Sequence, residues 1–592
     1  MKTNTTPIWF VLAAALAAGV WLAEKHFSPA PPTTANLLAG LRAADVTALE
    51  IIPAGERKIS LVRTNKTWVM TEPFNFPAQA AAIESLLAGL EKISPTLRLT
   101  AEDMKAHPNV DAEFGFENPP FTLDVTTGKQ SWHLRIGKKT APGDGVYVRL
   151  IGGAGAFITD VNWLPLLPRA AAAWRDTSLI AANDSVDWIV ITNGAKVIEL
   201  RADPTNHLWR ILRPLPARAD STVVATALQS LRSARTTRFV TDDLKADLST
   251  YGLQPAELAV WLGRGTNVLA AIHLGKESAE NPGQIFARRE GWNSVVTAAK
   301  EALQPWRGGV NDFRDPHLLE VAGNVNAIEV RGENNFTLES HGTNGWQVVG
   351  ETFPVDAANA QNFLRLLGSL QVSEYVKDVV TSTDLQNFGL VTNTRSIAVR
   401  FANGLTNSLQ FGLADTNKVF VKRGDEDFVY ALAAADDGLL PAFGWKFRER
   451  QLWDFSATNV AQNTLHQAGK TRQILRNAAG RWALAPGSQG IVDTVGLEET
   501  AKLLGNVGAA VWVEKNFTDG ERYGFGTNSL SVNFELKTGV TNTVEFGTEL
   551  QTQSGPTAFA AVTLDGERWA FVFPPVLYQL VPAYLNISTG VH

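Results

Sequence analysis

The side chains best able to do chemistry are thinly spread through this 592-residue sequence. Its 9 histidines are scattered, and none stands at a metal-ligand spacing from another His or from an acidic pair. There is no cysteine, which removes thiolate nucleophiles, disulfides and a lipidated cysteine anchor together. The G-x-S-x-G elbow, the H-E-x-x-H zinc motif and the D-x-D-x-D-G calcium loop are all missing. Gly137-Lys138-Lys139-Thr140 and Gly469-Lys470-Thr471 resemble the end of a phosphate loop, but Trp132 and Thr464 occupy the position where that loop requires its first Gly. Both are expected to be hairpin turns. No catalytic residue, metal ligand or cofactor site is therefore assigned.

Two recurring residue types remain. The first is Trp, ending a polar turn and entering a strand at Trp68, Trp209, Trp346 and Trp482, with spacings of 141, 137 and 136. Indole faces stack on sugars and cations, so four of them make a conceivable ligand platform, although a fixed offset before a helix is more simply explained by packing. The second is an aromatic followed by Arg and an acid: Trp174-Arg175-Asp176, Phe313-Arg314-Asp315 and Phe447-Arg448-Glu449. The last copy ends in FVFPPVLYQLVPAYL, with no such element. A charge pair present only where another copy follows reads as a junction, in which Arg holds carboxylates or carbonyls and the aromatic lies between units.

The elements that position these residues repeat with the same period. An aromatic-Gly pair recurs at Gly115, Gly252, Gly389 and Gly524, spaced 137, 137 and 135, and reads as a turn in which only Gly fits the backbone. An apolar-Gly pair closes a strand at Gly137, Gly275, Gly412 and Gly547. Alternating segments such as VTALEII from Val46 and VNAIEV from Val325 predict strands. Thr64-Asn65, Thr205-Asn206 and Thr343-Asn344 precede the marker Trp as turns, since Asn tolerates left-handed backbone. A helix follows each Pro-containing loop, with Asp220, Asp356 and Asp493 as N-caps and Gln79 in the first copy. Its apolar face shows at Ile83, Leu86, Leu87 and Leu90, and again at Phe363, Leu366, Leu367 and Leu370. The expected fold class is α+β: four tandem copies of a mostly antiparallel sheet with one covering helix.

Ahead of the copies, Ile8 to Ala23 is an uncharged apolar run flanked by Trp9 and Trp21, and SPAPPTTA follows as a semi-extended spacer. The run reads as a retained membrane anchor, because Trp21 sits where a cleavage site wants a small residue, with a cleaved signal and then a buried core helix as the other readings. The expected layout is an anchor at 1–27, a spacer at 28–36 and units at 37–180, 181–318, 319–455 and 456–592. The bulk is expected outside the cytoplasmic membrane. Lys plus Arg at 53 against Asp plus Glu at 59 gives a net charge of -6, which disfavours a nucleic-acid partner.

These residues together resemble the domain of unknown function 4340 family: a membrane segment, then units with a Trp, a Pro-containing loop, an Asp-capped helix, an aromatic-Gly-Leu and a closing aromatic-Arg-Asp. The aromatic-Gly-Leu element stands here as Tyr251-Gly252-Leu253 and Phe388-Gly389-Leu390, and departs to Phe at Phe116 and Phe525. The resemblance implies a bacterial envelope protein associated with ABC-type transport systems of the kind linked to gliding motility. It carries no catalytic residue. The expected function is thus a non-catalytic, inner-membrane-anchored periplasmic scaffold or accessory subunit, with an ABC-type permease as its partner. The alternative is a repeat protein that binds envelope glycan or peptidoglycan.

Overall fold

Alternation of side chains sets the strands, and one apolar stripe per copy sets the helix that covers them. The computed structural model describes residues 36–585 apart from 66, 107–108, 182–184, 392–394, 553–554 and 579. The expected anchor and nearly all of the spacer lie outside the described residues. Among the described residues, no helix is long and apolar enough to cross a membrane.

In the first copy, β1 (Val46–Pro53), β2 (Ile59–Thr64) and β3 (Thr67–Glu72) form a meander that ends in the two-residue β4 (Phe76–Pro77). Helix α1 (Ala80–Lys92) follows, then β5 (Pro95–Leu99), β6 (Phe121–Thr127), β7 (Ser131–Lys139), β8 (Gly145–Leu150) and β9 (Ala156–Asp160). The sheet order is β4-β3-β2-β1-β6-β7-β8-β9-β5, so α1 carries the chain from one sheet edge to the other. Val46, Leu49 and Ile51 of β1 face a core shared with Ile83, Leu86, Leu87 and Leu90 of α1. Burying each such side chain contributes roughly 1.5–3 kcal/mol.

The second sheet repeats the nine-strand order, while the third and fourth have eight strands and lack the short fourth one. Their helices are α2 (Ser221–Ser233), α3 (Ala357–Ser369) and α4 (Thr494–Gly505). Asp220 and Asp493 each accept two backbone N–H groups at their helix starts and Asp356 accepts one, whereas Gln79 makes no side-chain cap. The chain divides into two compact units, Met1–Asp315 with the first two sheets and Pro316–His592 with the last two. Leu179 and Ile180, which lie before the boundary drawn from spacing, belong to the core of the second sheet.

The two glycine series meet in space. Lys138 N–H donates to the Phe114 carbonyl at 2.9 Å, and Leu413 N–H to that of Phe388 at 2.8 Å. A Cβ on Gly137, Gly275, Gly412 or Gly547 would run into the carbonyl oxygen of Phe114, Tyr251, Phe388 or Tyr523 respectively. The partner glycines 115, 252, 389 and 524 all have φ between 69° and 80°. The first three copies therefore fold the aromatic-Gly turn onto a bare stretch of strand where the ladder register slips, and in the fourth Gly547 directly follows the strand Thr541–Phe546. This corrects one expectation: Gly137-Lys138-Lys139 lies inside β7, and the turn starts only at Thr140. Gly469 does sit in a two-residue hairpin turn with Ala468, φ 72° and 50°. Of the three turn asparagines, only Asn65 is left-handed, since His207 takes that conformation in the second copy and Gly342 and Gly345 take it in the third.

Candidate functional site: arginine clasps between copies

The aromatic-Arg-acid element begins as a backbone splint. Gln79 N–H donates to the Trp174 carbonyl at 2.8 Å and Asp176 N–H to that of Pro77 at 3.0 Å, so the element pairs with the loop before its own copy's helix. Asp220 with Phe313 at 2.9 Å and Asp356 with Phe447 at 2.8 Å repeat the arrangement. The rings of Trp174, Phe313 and Phe447 are buried under this splint.

Arg175 extends into the second copy. Its Nη1 and Nη2 donate to Asp242 Oδ2 and Oδ1 at 3.0 and 2.6 Å, and Nη2 also reaches Ser294 Oγ at 2.9 Å. Ser294 in turn donates to Asp242 Oδ1 at 2.6 Å. The guanidinium lies 3.5 Å from the ring centre of Phe239 and 3.9 Å from that of Phe74. Burial pushes the Arg175 pKa below its ordinary value, opposed by the bond to Asp242. A cation this far out of water is held by its two terminal nitrogens and the aromatic faces around it, while its Nε is buried without a hydrogen-bond partner. Asp176 completes the junction by accepting from Arg289 Nη2 at 2.8 Å, and Arg289 also donates to the Ser178 carbonyl.

Arg448 makes the corresponding crossing from the third copy to the fourth. Its Nη2 donates to Asp565 Oδ2 at 2.9 Å, with the guanidinium 4.7 Å from the Trp569 ring and 5.4 Å from Phe353. The Trp512 indole N–H closes on the Arg448 carbonyl at 3.1 Å. Beside it, Lys515 joins Glu351 of the third copy at 3.2 Å and Glu567 of the fourth at 3.0 Å. Burial works against the Lys515 charge, but its bonds to these two carboxylates prevail and hold its pKa above the usual lysine value. Glu449 N–H donates to the Pro354 carbonyl at 2.7 Å. Arg314 is buried and donates to Asn311 Oδ1 at 3.3 Å, and Asp315 accepts from Arg218.

The marker tryptophans do not form a row of open platforms. Trp68, Trp209 and Trp482 are 2%, 9% and 7% exposed, while Trp346 is only half-buried. In the first and fourth copies a feature that sequence reasoning missed locks the ring. Arg63 lies over Trp68 at 4.7 Å and pairs with Glu84, whose Oε1 accepts the indole N–H at 2.8 Å. Arg476, Trp482 and Glu498 repeat the trio, with the indole N–H bond at 3.0 Å. The signal was present in the sequence: each Glu stands 16 residues after its Trp.

These arrangements hold surfaces together. Among the described residues, no group of three or more His, Cys, Asp and Glu side chains is placed to hold a metal ion. No curated protein matches the chain. Among solved structures, the DNA polymerase III subunit beta from Borrelia burgdorferi in complex with a natural product aligns with 67% of this chain and 94% of its own, at 7% identity and a TM-score of 0.12. Residues 68–205, 209–384 and 346–501 match a family described as "Domain of unknown function (DUF4340)", in three segments, the last two overlapping, that suit a repeated unit. The chain belongs to the DUF4340 family.

Proposed function

We propose that the protein is a non-catalytic scaffold, anchored in the cytoplasmic membrane by Ile8–Ala23, whose repeated sheets lie outside it and serve a transporter of the ABC type as an accessory subunit. One observation supports the scaffold part. Two of the three arginines that recur in register, Arg175 and Arg448, pair with carboxylates of the following copy, at Asp242 and Asp565, as residues that hold copies together would. Repeated units tied to their neighbours build long surfaces suited to protein contact. The permease partner rests on the family resemblance and the anchor on the apolar run. A platform of four matching sugar sites ranks second, because three of its four indoles are buried.

The test is purification of the C-terminally tagged chain from its native membranes in mild detergent, with mass spectrometry of what accompanies it. A permease and an ATPase in fixed ratio, lost when residues 1–35 are deleted, support the proposal. Recovery of the chain alone sinks it.

A further inference from the structure

In the first and fourth copies, the residue paired with the marker Trp across the hairpin is an arginine: Arg63 opposite Trp68 and Arg476 opposite Trp482. The carboxylate that completes each trio stands five positions after the helix cap, at Glu84 and Glu498. The third copy has Ser340 opposite Trp346 and Gln361 five positions after its cap. Both charges are gone and both side chains are neutral or shorter. In their place is a cavity of about 950 Å³ bordered by Trp346, Ser340 and Gln361, with Asn324, Asn326 and Arg365 around it. Loss of the pair does not open such a space by itself. The second copy has Ala202 opposite Trp209 and Ala225 at the helix position, and its Trp209 is nonetheless buried.

The volume falls in the range of small-ligand sites. The lining decides the class of ligand. Among the described residues no carboxylate borders the cavity and Arg365 does, which disfavours a cation, the group that fills the equivalent place in the first and fourth copies. Three primary amides and the hydroxyls of Ser340 and Thr343 offer donors and acceptors to a ligand with hydroxyls around its rim, and the indole offers a flat apolar face. A pyranose has both features: a C–H face that stacks on indole, and equatorial hydroxyls that both donate and accept. Arg365, whose Nη2 is bonded to Asn362, is placed to meet a hydroxyl or a sugar carboxylate.

We infer that the third copy carries a saccharide site, with Trp346 as the stacking floor and Asn324, Asn326, Gln361 and Arg365 as the hydroxyl readers. The site goes beyond the scaffold role and stands independently of it. Its test uses the full chain in a sugar-free detergent, with chitotriose, cellotriose, maltotriose and trigalacturonate as probes, read by saturation-transfer NMR. At least one trisaccharide is expected to bind, and Trp346→Ala to weaken it by about tenfold or more. The double variant Ser340→Arg/Gln361→Glu rebuilds the arginine-carboxylate pair of the other copies over the indole. It is expected to fold with unchanged or raised thermal stability and to lose the sugar. Absence of binding for all four probes at about 10 mM, a concentration that detects contacts of only a few kcal/mol, overturns the inference. So does binding that survives unchanged in the rebuilt variant.

Discussion

Arg175 and Asp242 lie 67 residues apart in the chain and form a two-bond fork, 2.6 and 3.0 Å, beneath the rings of Phe74 and Phe239. The arginine belongs to the first copy and the aspartate to the second, and the Arg175 side chain is 3% exposed. Removing one member of such a pair leaves the other charge without its partner in a partly dry place. Arg175→Ala is expected to destabilise the junction by about 2–4 kcal/mol, the lower figure reflecting the partial exposure of Asp242. In urea, monitored by hydrogen exchange, the first and second sheets should then lose protection at separate midpoints. A single shared midpoint in the variant would count against a coupling role.

The glycine pairing makes a sharper demand. A methyl group at Gly137 meets the backbone oxygen of Phe114, which is itself held by Lys138 N–H and has little room to retreat. Gly137→Ala should therefore cost about 2 kcal/mol or more, as overpacking against an immobile group does. Gly128 in the same copy faces open space at an ordinary φ, so Gly128→Ala is the matched control and should stay within about 0.5 kcal/mol. Thermal unfolding of the two variants side by side checks the difference. Equal melting temperatures would remove the clasp as an explanation for the repeated pair.

These contrasts show what the residue order reveals and what it hides. The period was legible because Trp, aromatic-Gly and aromatic-Arg recur for local reasons: a strand start, a left-handed turn and a backbone splint are each settled within a few residues. Helix faces such as Ile83, Leu86, Leu87 and Leu90 were legible for the same reason. The partner of Arg175 was not, since Asp242 and Ser294 stand just outside strand ends 67 and 119 residues away and meet Arg175 only once the second sheet exists. Gly137 was misplaced because a glycine inside a strand and one in a hairpin share the same local signature. The Arg63-Trp68-Glu84 trio was readable in principle, but its three members sit on two strands and a helix.

The tryptophans should divide by environment. Trp482 is buried, covered by Arg476 and hydrogen-bonded to Glu498, whereas Trp346 borders an open cavity. Trp482→Ala is expected to lose about 3–5 kcal/mol, as large aromatic truncations in cores do. Trp346→Ala should lose about 1–2 kcal/mol, in proportion to its smaller buried area. Iodide quenching adds an independent reading, because replacing Trp346 should remove a quenchable part of the emission and replacing Trp482 should not. The reverse order in either measurement contradicts the assigned environments.

Asp384 supplies a pH test in the third copy. It closes a capping box at the start of the short helix Ser382–Asn387, accepting from Thr381 N–H at 2.8 Å while its own N–H donates to Thr381 Oγ at 3.2 Å. Lys377 Nζ adds a bond at 2.7 Å, and Lys377 together with the Thr381 donors holds the carboxyl at about 2, against an ordinary 3.8. A carboxyl lowered on folding stabilises the folded form at every pH above its unfolded value and loses that contribution as pH falls through the folded one. Protection of the Leu385 and Phe388 amides, which bond to the Thr381 and Asp384 carbonyls, should hold steady down to about pH 4 and then decline toward about pH 2. Asp384→Asn cannot accept with a charge from Lys377, so its protection factors should be lower at neutral pH and flat across that window. A wild-type profile that is equally flat would show that the box is not set by this carboxylate, and would leave Thr381 alone to start the turn that presents Phe388 and Gly389 to the strand.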